Sequence, residues 1–415
     1  MKLLPSLRVP RAVKNRIPRG LKVSLRSAQF LSVYFGLVSS SRTDDTKRDQ
    51  VLEAVLAVRK DLEKHQCRAA SVAGGEAFVG RLCRIYDEQR NHQPAALYRV
   101  GKIWDAALRK WRRNYLTALE SGDPAALLDI LRCFHRNDAI AAMGIEIEIL
   151  REIFSKPFRS ACLVTNLITK YQAFSRVCDP RFLPFVDDGE VGCPVGVPFD
   201  GQKLSPSGFR HAYYASEFSR VVNLDQQQNF VICELGGGYG NLARILKLVH
   251  PARQFTYVIV DLPQMLPVAA YFLRANFPGA RMGFWDELRD TSLSRSELAR
   301  YDFVLLPNWD IERVPASGVD AVINTASLAE MDREIVANYL GQIRRITASS
   351  GHFYTVNRDR GIDYPELGGA KETGMNTWNL DWPGWQEKLR RSSWGDLHWG
   401  AWEHMDYTEV VLQKL

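Results

Sequence analysis

Val231-Ile-Cys-Glu-Leu-Gly-Gly-Gly-Tyr-Gly-Asn-Leu-Ala-Arg244 reads as a buried strand, a glycine-rich turn and the first turn of a helix. Phe230 to Cys233 is short and apolar with β-branched members, the composition of a strand covered on both faces. Gly236, Gly238 and Gly240 permit backbone angles that a side chain forbids and let a ligand lie against the main chain. From Asn241 the pattern turns helical, so unbonded N–H groups point at whatever sits over the turn.

Two kinds of cofactor site share this outline, and spacing separates them. A dinucleotide site of the form G-x-G-x-x-G puts its third small residue at position 241, which here is Asn241. The spacing is instead E-x-G-x-G-x-G, with Glu234 two residues before the first glycine. A carboxylate so close repels a pyrophosphate and attracts a cationic sulfonium with an amino-acid tail. S-adenosylmethionine is therefore expected in preference to NAD.

The next strand, Phe255-Thr-Tyr-Val-Ile-Val260, ends at Asp261-Leu-Pro263. An acid at that strand end accepts from both ribose hydroxyls in either cofactor class, so Asp261 does not choose between them. Its competing role is to cap the helix starting near Gln264. Further on, Phe303-Val-Leu-Leu306, Ala321-Val-Ile323, His352-Phe-Tyr-Thr-Val356 and Tyr407-Thr-Glu-Val-Val-Leu412 read as strands, with a helix over 332–347 between them. Alternating strands and helices predict an α/β fold, a mostly parallel sheet with helices on both faces. Ligands in such sheets sit beyond the carboxyl ends of the strands, where Glu234, Asp261, Asn308 and Asn324 fall.

Upstream, residues 44–177 are helical. Val51, Leu52, Val55, Leu56, Val58 and Leu62 recur at three- and four-residue spacing. Trp104, Leu108, Trp111 and Tyr115 share one face of a stretch over 95–119 and are expected in the core, and Asp123-Pro124 is a helix start. Residues 178–225 are dense in proline and glycine and read as a loop region packed over the mouth of a catalytic domain spanning 226–415. Residues 1–43 form a basic arm. Its nine lysines and arginines precede the first acid, Asp44, and exceed the net charge of +7, leaving the rest at −2. Nucleic-acid binding by the main body is not indicated. The arm mixes Leu21, Val23, Phe30, Leu31 and Phe35 with its charges, which suits an interfacial segment on anionic lipid as well as a solvated tail leading into a helix. No stretch is long and apolar enough to span a bilayer. The seven cysteines form no C-x-x-C pair and no even frame, as expected of reduced thiols in a cytoplasmic protein without structural zinc.

Taken together, Glu234-Leu-Gly-Gly-Gly-Tyr-Gly240, Ile259-Val-Asp-Leu-Pro263, Leu305-Leu-Pro307 and Ser327-Leu-Ala-Glu-Met331 resemble the class I S-adenosylmethionine-dependent methyltransferases. With Gly192-Cys-Pro-Val-Gly196, Arg210-His-Ala-Tyr-Tyr214, Ile323-Asn324 and Phe353-Tyr354 with Asn357, they resemble more narrowly the sugar O-methyltransferase family of bacterial surface-polysaccharide clusters. The resemblance covers about residues 190 to 415. It implies a Rossmann-like sheet, mostly parallel with the last strand antiparallel, behind an all-α N-terminal domain. It also implies methyl transfer to a hydroxyl of a sugar or glycoconjugate in the cytoplasm. Cys193 stands where the pattern calls for a more polar residue.

The expected cofactor contacts are Glu234, Gly236, Gly238, Gly240, Asp261, Leu262 and Asn308, with Trp309 against the adenine. Asn324, Tyr354 and Asn357 are the expected acceptor contacts, although each asparagine equally suits a strand-end cap. The first candidate for the base that takes the hydroxyl proton is Glu330, which follows the strand at Ile323 and would otherwise serve as a first-turn acid of the next helix. His211 is the second, since an unperturbed imidazole titrates near neutrality. Trp378, Trp382, Trp385, Trp394, Trp399 and Trp402, six of the ten tryptophans, form either an acceptor wall or the packing of a C-terminal subdomain. Asp310, Glu330 and Asp332 supply oxygens at no recognisable metal-ligand spacing. Competing readings are a cofactor-binding regulator without turnover, a methyltransferase of non-sugar small molecules, and an NAD-dependent oxidoreductase, the last disfavoured by Glu234 and Asn241.

Overall fold

A computed structural model describes residues 45–63, 72, 74–92, 94–141, 143–358, 382–393 and 407–415. The basic arm lies outside the described residues, as do Trp378, Trp394, Trp399 and Trp402. No helix among the described residues is long and apolar enough to cross a membrane.

The chain is a Rossmann-like α/β protein built on one eight-stranded sheet. A two-stranded hairpin, β1 (Val197–Phe199) and β2 (Gln202–Leu204), precedes it. The sheet strands are β3 (Phe230–Leu235), β4 (Phe255–Asp261), β5 (Met282–Phe284), β6 (Phe303–Pro307), β7 (Val319–Thr325), β8 (Thr347–Arg358), β9 (Trp385–Ser392) and β10 (Tyr407–Lys414). Their order is β5-β6-β4-β3-β7-β8-β10-β9. Neighbours from β5 to β8 run parallel, and β10 lies antiparallel between β8 and β9. The expectation of a parallel sheet with its last strand reversed is met. After β3 the chain builds outward through β4, β6 and β5, then returns to lay β7 on the other side of β3. That reversal opens a crevice beyond the carboxyl ends of β3 and β7, where such sheets bind ligands.

Burial explains why β3 and β4 carry continuous apolar runs. Every residue of both strands is buried. Ile232 and Ile259 enter one apolar cluster, while Val231, Cys233, Leu235, Val258 and Val260 enter another on the opposite face. The N-terminal helices are α1 (Asp45–Leu62), α2 (Gly75–Asn91), α3 (Lys102–Trp111), α4 (Arg113–Ser121), α5 (Pro124–Arg132), α6 (Ile147–Ser155) and α7 (Pro157–Phe174), and the first cluster runs without a break into α1, α2, α4 and α6 through Val58, Leu82, Tyr115 and Phe154. The helical half thus shares its core with the sheet. Asp123 caps α5 as expected, accepting from Ala125 N at 2.9 Å and Ala126 N at 3.3 Å.

The proline- and glycine-rich segment is only partly loop. Its second half is α8 (Pro206–Val222), opened by Ser205, whose hydroxyl accepts from Gly208 N at 3.0 Å. Pro206 and Gly208, which read as loop residues, occupy a capped first turn that tolerates both. Strand β9 went unrecognised because it forms the sheet edge and exposes its polar residues, blurring the alternation. Trp382 and Trp385 pack beside it: Trp382 stacks on Phe353 with centroids 5.5 Å apart, and Trp385 meets Trp382 edge-on at 5.1 Å. Both serve packing. Cys133 and Cys193, distant in sequence, bring their sulfur atoms within 3.7 Å. Three longer helices pack on the sheet: α9 (Asn241–Val249), α10 (Leu266–Asn276) and α11 (Arg333–Ile346).

Candidate cofactor cleft and base

At the end of β3 the chain turns through Gly236, Gly238 and Gly240 with φ of +73°, +57° and +85°, the left-handed region that favours glycine. Gly236 N donates to Val260 O at 2.9 Å, tying the turn to β4. Gly237 is needed for space instead: a Cβ there would stand 2.9 Å from Ile259 Cγ2 and 3.0 Å from Glu234 Oε2. The result is bare main chain along one wall of a cavity that Glu234, Asp261, Leu262, Asn308, His211 and Glu330 also line.

Two carboxyls stand at the glycine end. Glu234 is 2 % exposed, and its Oε2 accepts from the Tyr257 hydroxyl at 2.9 Å. Desolvation pushes it up to about 8 against the pull of that hydrogen bond, with Asp261 adding to the rise. Asp261 accepts from Gly238 N at 2.9 Å and Leu262 N at 2.7 Å, one N–H on each oxygen. It braces the glycine turn from the next strand, and each oxygen keeps a second acceptor site for a ligand. Burial raises it to about 6. It does not cap a helix, since α10 starts only at Leu266 with Met265 at the N-cap.

Asn308 and Trp309, both expected at the cofactor, part company. Asn308 lines the cavity; its Nδ2 donates to Tyr98 O at 2.7 Å and the Tyr339 hydroxyl at 3.1 Å, and its buried Oδ1 has no hydrogen-bond partner. Trp309 is not in the cavity wall and stacks on His92, centroids 4.9 Å apart. A 3₁₀ turn begins at Asn308, and its three-residue period carries adjacent side chains to different sides. The assignment of Trp309 to the adenine is corrected accordingly.

Glu330 ends a 3₁₀ turn, Ser327–Glu330, separate from α11. It is therefore no first-turn acid of that helix. Its carboxyl lines the cavity and accepts from Trp104 Nε1 at 2.9 Å. The packed walls desolvate it and push it up to about 7, against the pull of Arg358, Trp104 and Arg210. A carboxyl poised there exchanges a proton readily near neutral pH.

The turn is held from below by the asparagines expected to touch the acceptor. Asn324 donates to Leu235 O at 2.8 Å and the Ser327 hydroxyl at 2.6 Å. Asn357 donates to Asn324 Oδ1 at 2.8 Å and accepts from Ala329 N at 3.0 Å. Both are fully buried and face each other across adjacent strands. They are positioning residues for Glu330, not acceptor contacts. Tyr354 is likewise buried, its hydroxyl donating to Glu409 Oε1 at 2.8 Å. Replacing Asn357 by Ala removes the acceptor of Ala329 N–H and loosens the turn. A loss in kcat on the order of 10²-fold is expected from the displaced carboxyl, with S-adenosylhomocysteine affinity nearly unchanged. Equal losses in both, read by turnover and titration, would instead mark a general folding defect.

His211 lies in the cavity wall without the properties of a neutral-range base. Desolvation, then Arg210 and Arg244, push the imidazole down to about 3. Its Nδ1 stands 3.2 Å from Asn241 Nδ2, in a network where Asn241 also donates to Asp188 Oδ1 at 3.0 Å and accepts from Arg244 at 2.7 Å. That network pins the start of α9 to the 178–208 segment. Asp310 is paired with Arg313 at 2.7 Å. Among the described residues no group of three or more His, Cys, Asp or Glu side chains could hold a metal ion.

The cavity wall also recruits Met143 and Trp104 from the helical half, the latter expected in the core. Helix α8, in the segment preceding β3, contributes Arg210, His211 and Tyr214 of the Arg210-His-Ala-Tyr-Tyr214 stretch to the cavity wall.

No protein-family model matches this chain. No curated protein matches it either. Among solved structures, similar ones include an O-methyltransferase family protein from Burkholderia thailandensis (14 % identity, covering 50 % of this chain and 59 % of that one, TM-score 0.30). A magnesium protoporphyrin IX methyltransferase from Synechocystis with bound SAH shares 9 % identity over 50 % of this chain and 84 % of its own, TM-score 0.33. An Aquifex aeolicus SAM-dependent methyltransferase shares 12 % over 51 % of this chain and all of its own length, TM-score 0.30. Likeness at this distance leaves ligand and reaction to the site itself.

Proposed function

We propose that this chain is an S-adenosylmethionine-dependent O-methyltransferase acting on a hydroxyl of a sugar or glycoconjugate. The observation that carries the reading is one cavity lined by the glycine turn, the two acids Glu234 and Asp261, and Glu330.

The residues fit the cofactor. Bare glycine main chain admits its tail, Asp261 offers acceptors to a ribose diol, and the partnerless buried Oδ1 of Asn308 suits an exocyclic amino group. S-adenosylmethionine, when bound, supplies an electrophilic methyl group on a positively charged sulfur. Glu234 provides compensating charge at that end. Glu330 accepts the proton of the acceptor hydroxyl. Trp104 holds the Glu330 carboxyl by its indole N–H and lines the cavity, an aromatic side chain of the kind that suits the C–H face of a sugar ring. The sugar class, and a place in surface-polysaccharide assembly, rest on this and on the family resemblance in the sequence.

Titration with S-adenosylhomocysteine tests the cleft. Asp261→Ala and Gly238→Val are expected to weaken binding at least about tenfold, and undiminished affinity in both sinks the assignment. Turnover with S-adenosylmethionine on sugar acceptors then separates an enzyme from a cofactor-binding regulator.

Proton linkage offers a second test. Glu234 holds its proton up to about pH 8 in the free cleft, and a cationic ligand favours the carboxylate. Binding therefore releases a proton below that pH, so affinity rises with pH by up to about tenfold per unit between 6 and 8, then levels. Glu234→Gln is expected to flatten the curve. A wild-type affinity independent of pH across this window counts against the role given to Glu234.

A further inference from the structure

Cys133 and Cys193 are drawn together by the chain on either side of them. Cys133 directly follows α5 in the helical half, and Cys193 belongs to the segment before β1. Their sulfur atoms lie 3.7 Å apart although 60 positions separate them in sequence. The adjoining residues fix that approach. His135 N donates to Gly192 O at 3.0 Å, and Arg136 Nε donates to Cys193 O at 3.0 Å. A Cβ on Gly192 would overlap the ring of Phe134, so only glycine permits the two segments to lie this close. Cys193 itself is held at φ +58°, a backbone conformation that residues with a side chain adopt only where their surroundings impose it.

The pair is connected to the cofactor turn. Phe134 and His135, which follow Cys133 directly, pack on Tyr239 with ring centroids 5.7 Å and 5.1 Å from its own. Tyr239 stands between Gly238 and Gly240 and lines the cavity. A covalent link at Cys133 therefore restricts the residues that back the glycine turn. We propose that Cys133 and Cys193 are a thiol–disulfide pair, closed by exchange with a small-molecule disulfide of the glutathione class, and that closure firms the cofactor turn through Phe134, His135 and Tyr239. Cys133 is half-buried and thus more accessible than Cys193, which is 8 % exposed. Its thiolate attacks oxidised glutathione, forming a mixed disulfide and releasing one glutathione thiolate. The Cys193 thiolate then attacks the Cys133 sulfur and releases the second. Two protein sulfurs are oxidised, two glutathione sulfurs are reduced, and the two protein protons pass to the released thiolates. The exchange stands by itself; its effect on the turn rests on the methyltransferase reading above.

The test takes the full chain, reduced and freed of reductant, and treats it with oxidised glutathione. Mass spectrometry is expected to show the loss of two hydrogen atoms, with the peptides bearing Cys133 and Cys193 joined, and dithiothreitol is expected to reverse it. The closed form should melt several degrees higher, since the cross-link restricts the unfolded chain. It should bind S-adenosylhomocysteine at least about threefold more tightly, since less ordering is left to the binding step. Cys133→Ser and Cys193→Ser are expected to lose both responses, and Cys162→Ser, on α7, to keep them. Cys133→Ala and Cys193→Ala serve if the serine variants do not fold. No intramolecular link in the wild type, or a link that leaves S-adenosylhomocysteine affinity unchanged, overturns the proposal. Failure of S-adenosylhomocysteine to bind either form strikes the methyltransferase reading instead, so the two failures are distinguishable.

Discussion

Replacing Glu330 by Gln is expected to lower kcat by about 10²–10⁴-fold, the range that a positioned general base supplies. S-adenosylhomocysteine affinity should change little, since no cofactor contact is assigned to this side chain. The amide keeps the size of the carboxyl and an oxygen for the Trp104 N–H, so the cavity wall is preserved. Only the ability to take a proton is removed. The pH profile supplies an independent readout. With the carboxyl pushed up to about 7, the protonated form dominates below that value and cannot act as base. Wild-type kcat should rise with pH through 7 and then level, and the residual rate of Glu330→Gln should lack that limb. An undiminished rate in the variant, or a wild-type profile without the limb, would falsify the assignment of the base.

Gly236→Ala is expected to damage both ends of the site at once. At φ +73° an alanine is strained by about 1 kcal/mol. The larger cost is steric, because its Cβ would stand 2.7 Å from Ser327 Cβ and closer still to the hydroxyl. Ser327 opens the turn that carries Glu330 and is itself held by Asn324 at 2.6 Å. Relief therefore requires moving either the glycine turn or the base. Overpacking of this kind destabilises by about 1–3 kcal/mol. Thermal unfolding should show that loss, and titration and turnover should fall together. Gly236→Ala combined with Ser327→Gly should recover the steric part and leave the backbone strain. Gly279→Ala, with open space around its Cβ, is the neutral control. A double variant no better than the single would disprove the coupling between the two turns.

These predictions draw unequally on what could be read along the chain. The glycine turn, the acid before it and the acid ending the next strand were legible because each lies within a few residues of a strand whose apolar run is unmistakable. Glu330 was found the same way, by its distance from the strand at Ile323. Trp309 was misplaced because adjacent residues at a strand end look equivalent until the local turn is known, and a 3₁₀ turn sends Asn308 inward and its neighbour outward. Asn324 and Asn357 were legible as polar residues at strand ends. That they satisfy each other and hold the turn bearing Glu330 depends on β7 and β8 being neighbours.

The amino-acid pattern alone specified the α/β class and the glycine turn with its flanking acids, since local periodicity and turn-forming glycines act over short stretches of chain; the reversed last strand followed from the family resemblance. Folding had to supply the rest. It brings Trp104 to Glu330 across 226 residues of sequence, sets Arg210 and Arg358 over one tyrosine, and desolvates His211 until it no longer titrates near neutrality. Proximity and solvent exclusion are properties of packing between distant segments, and no short-range pattern encodes them.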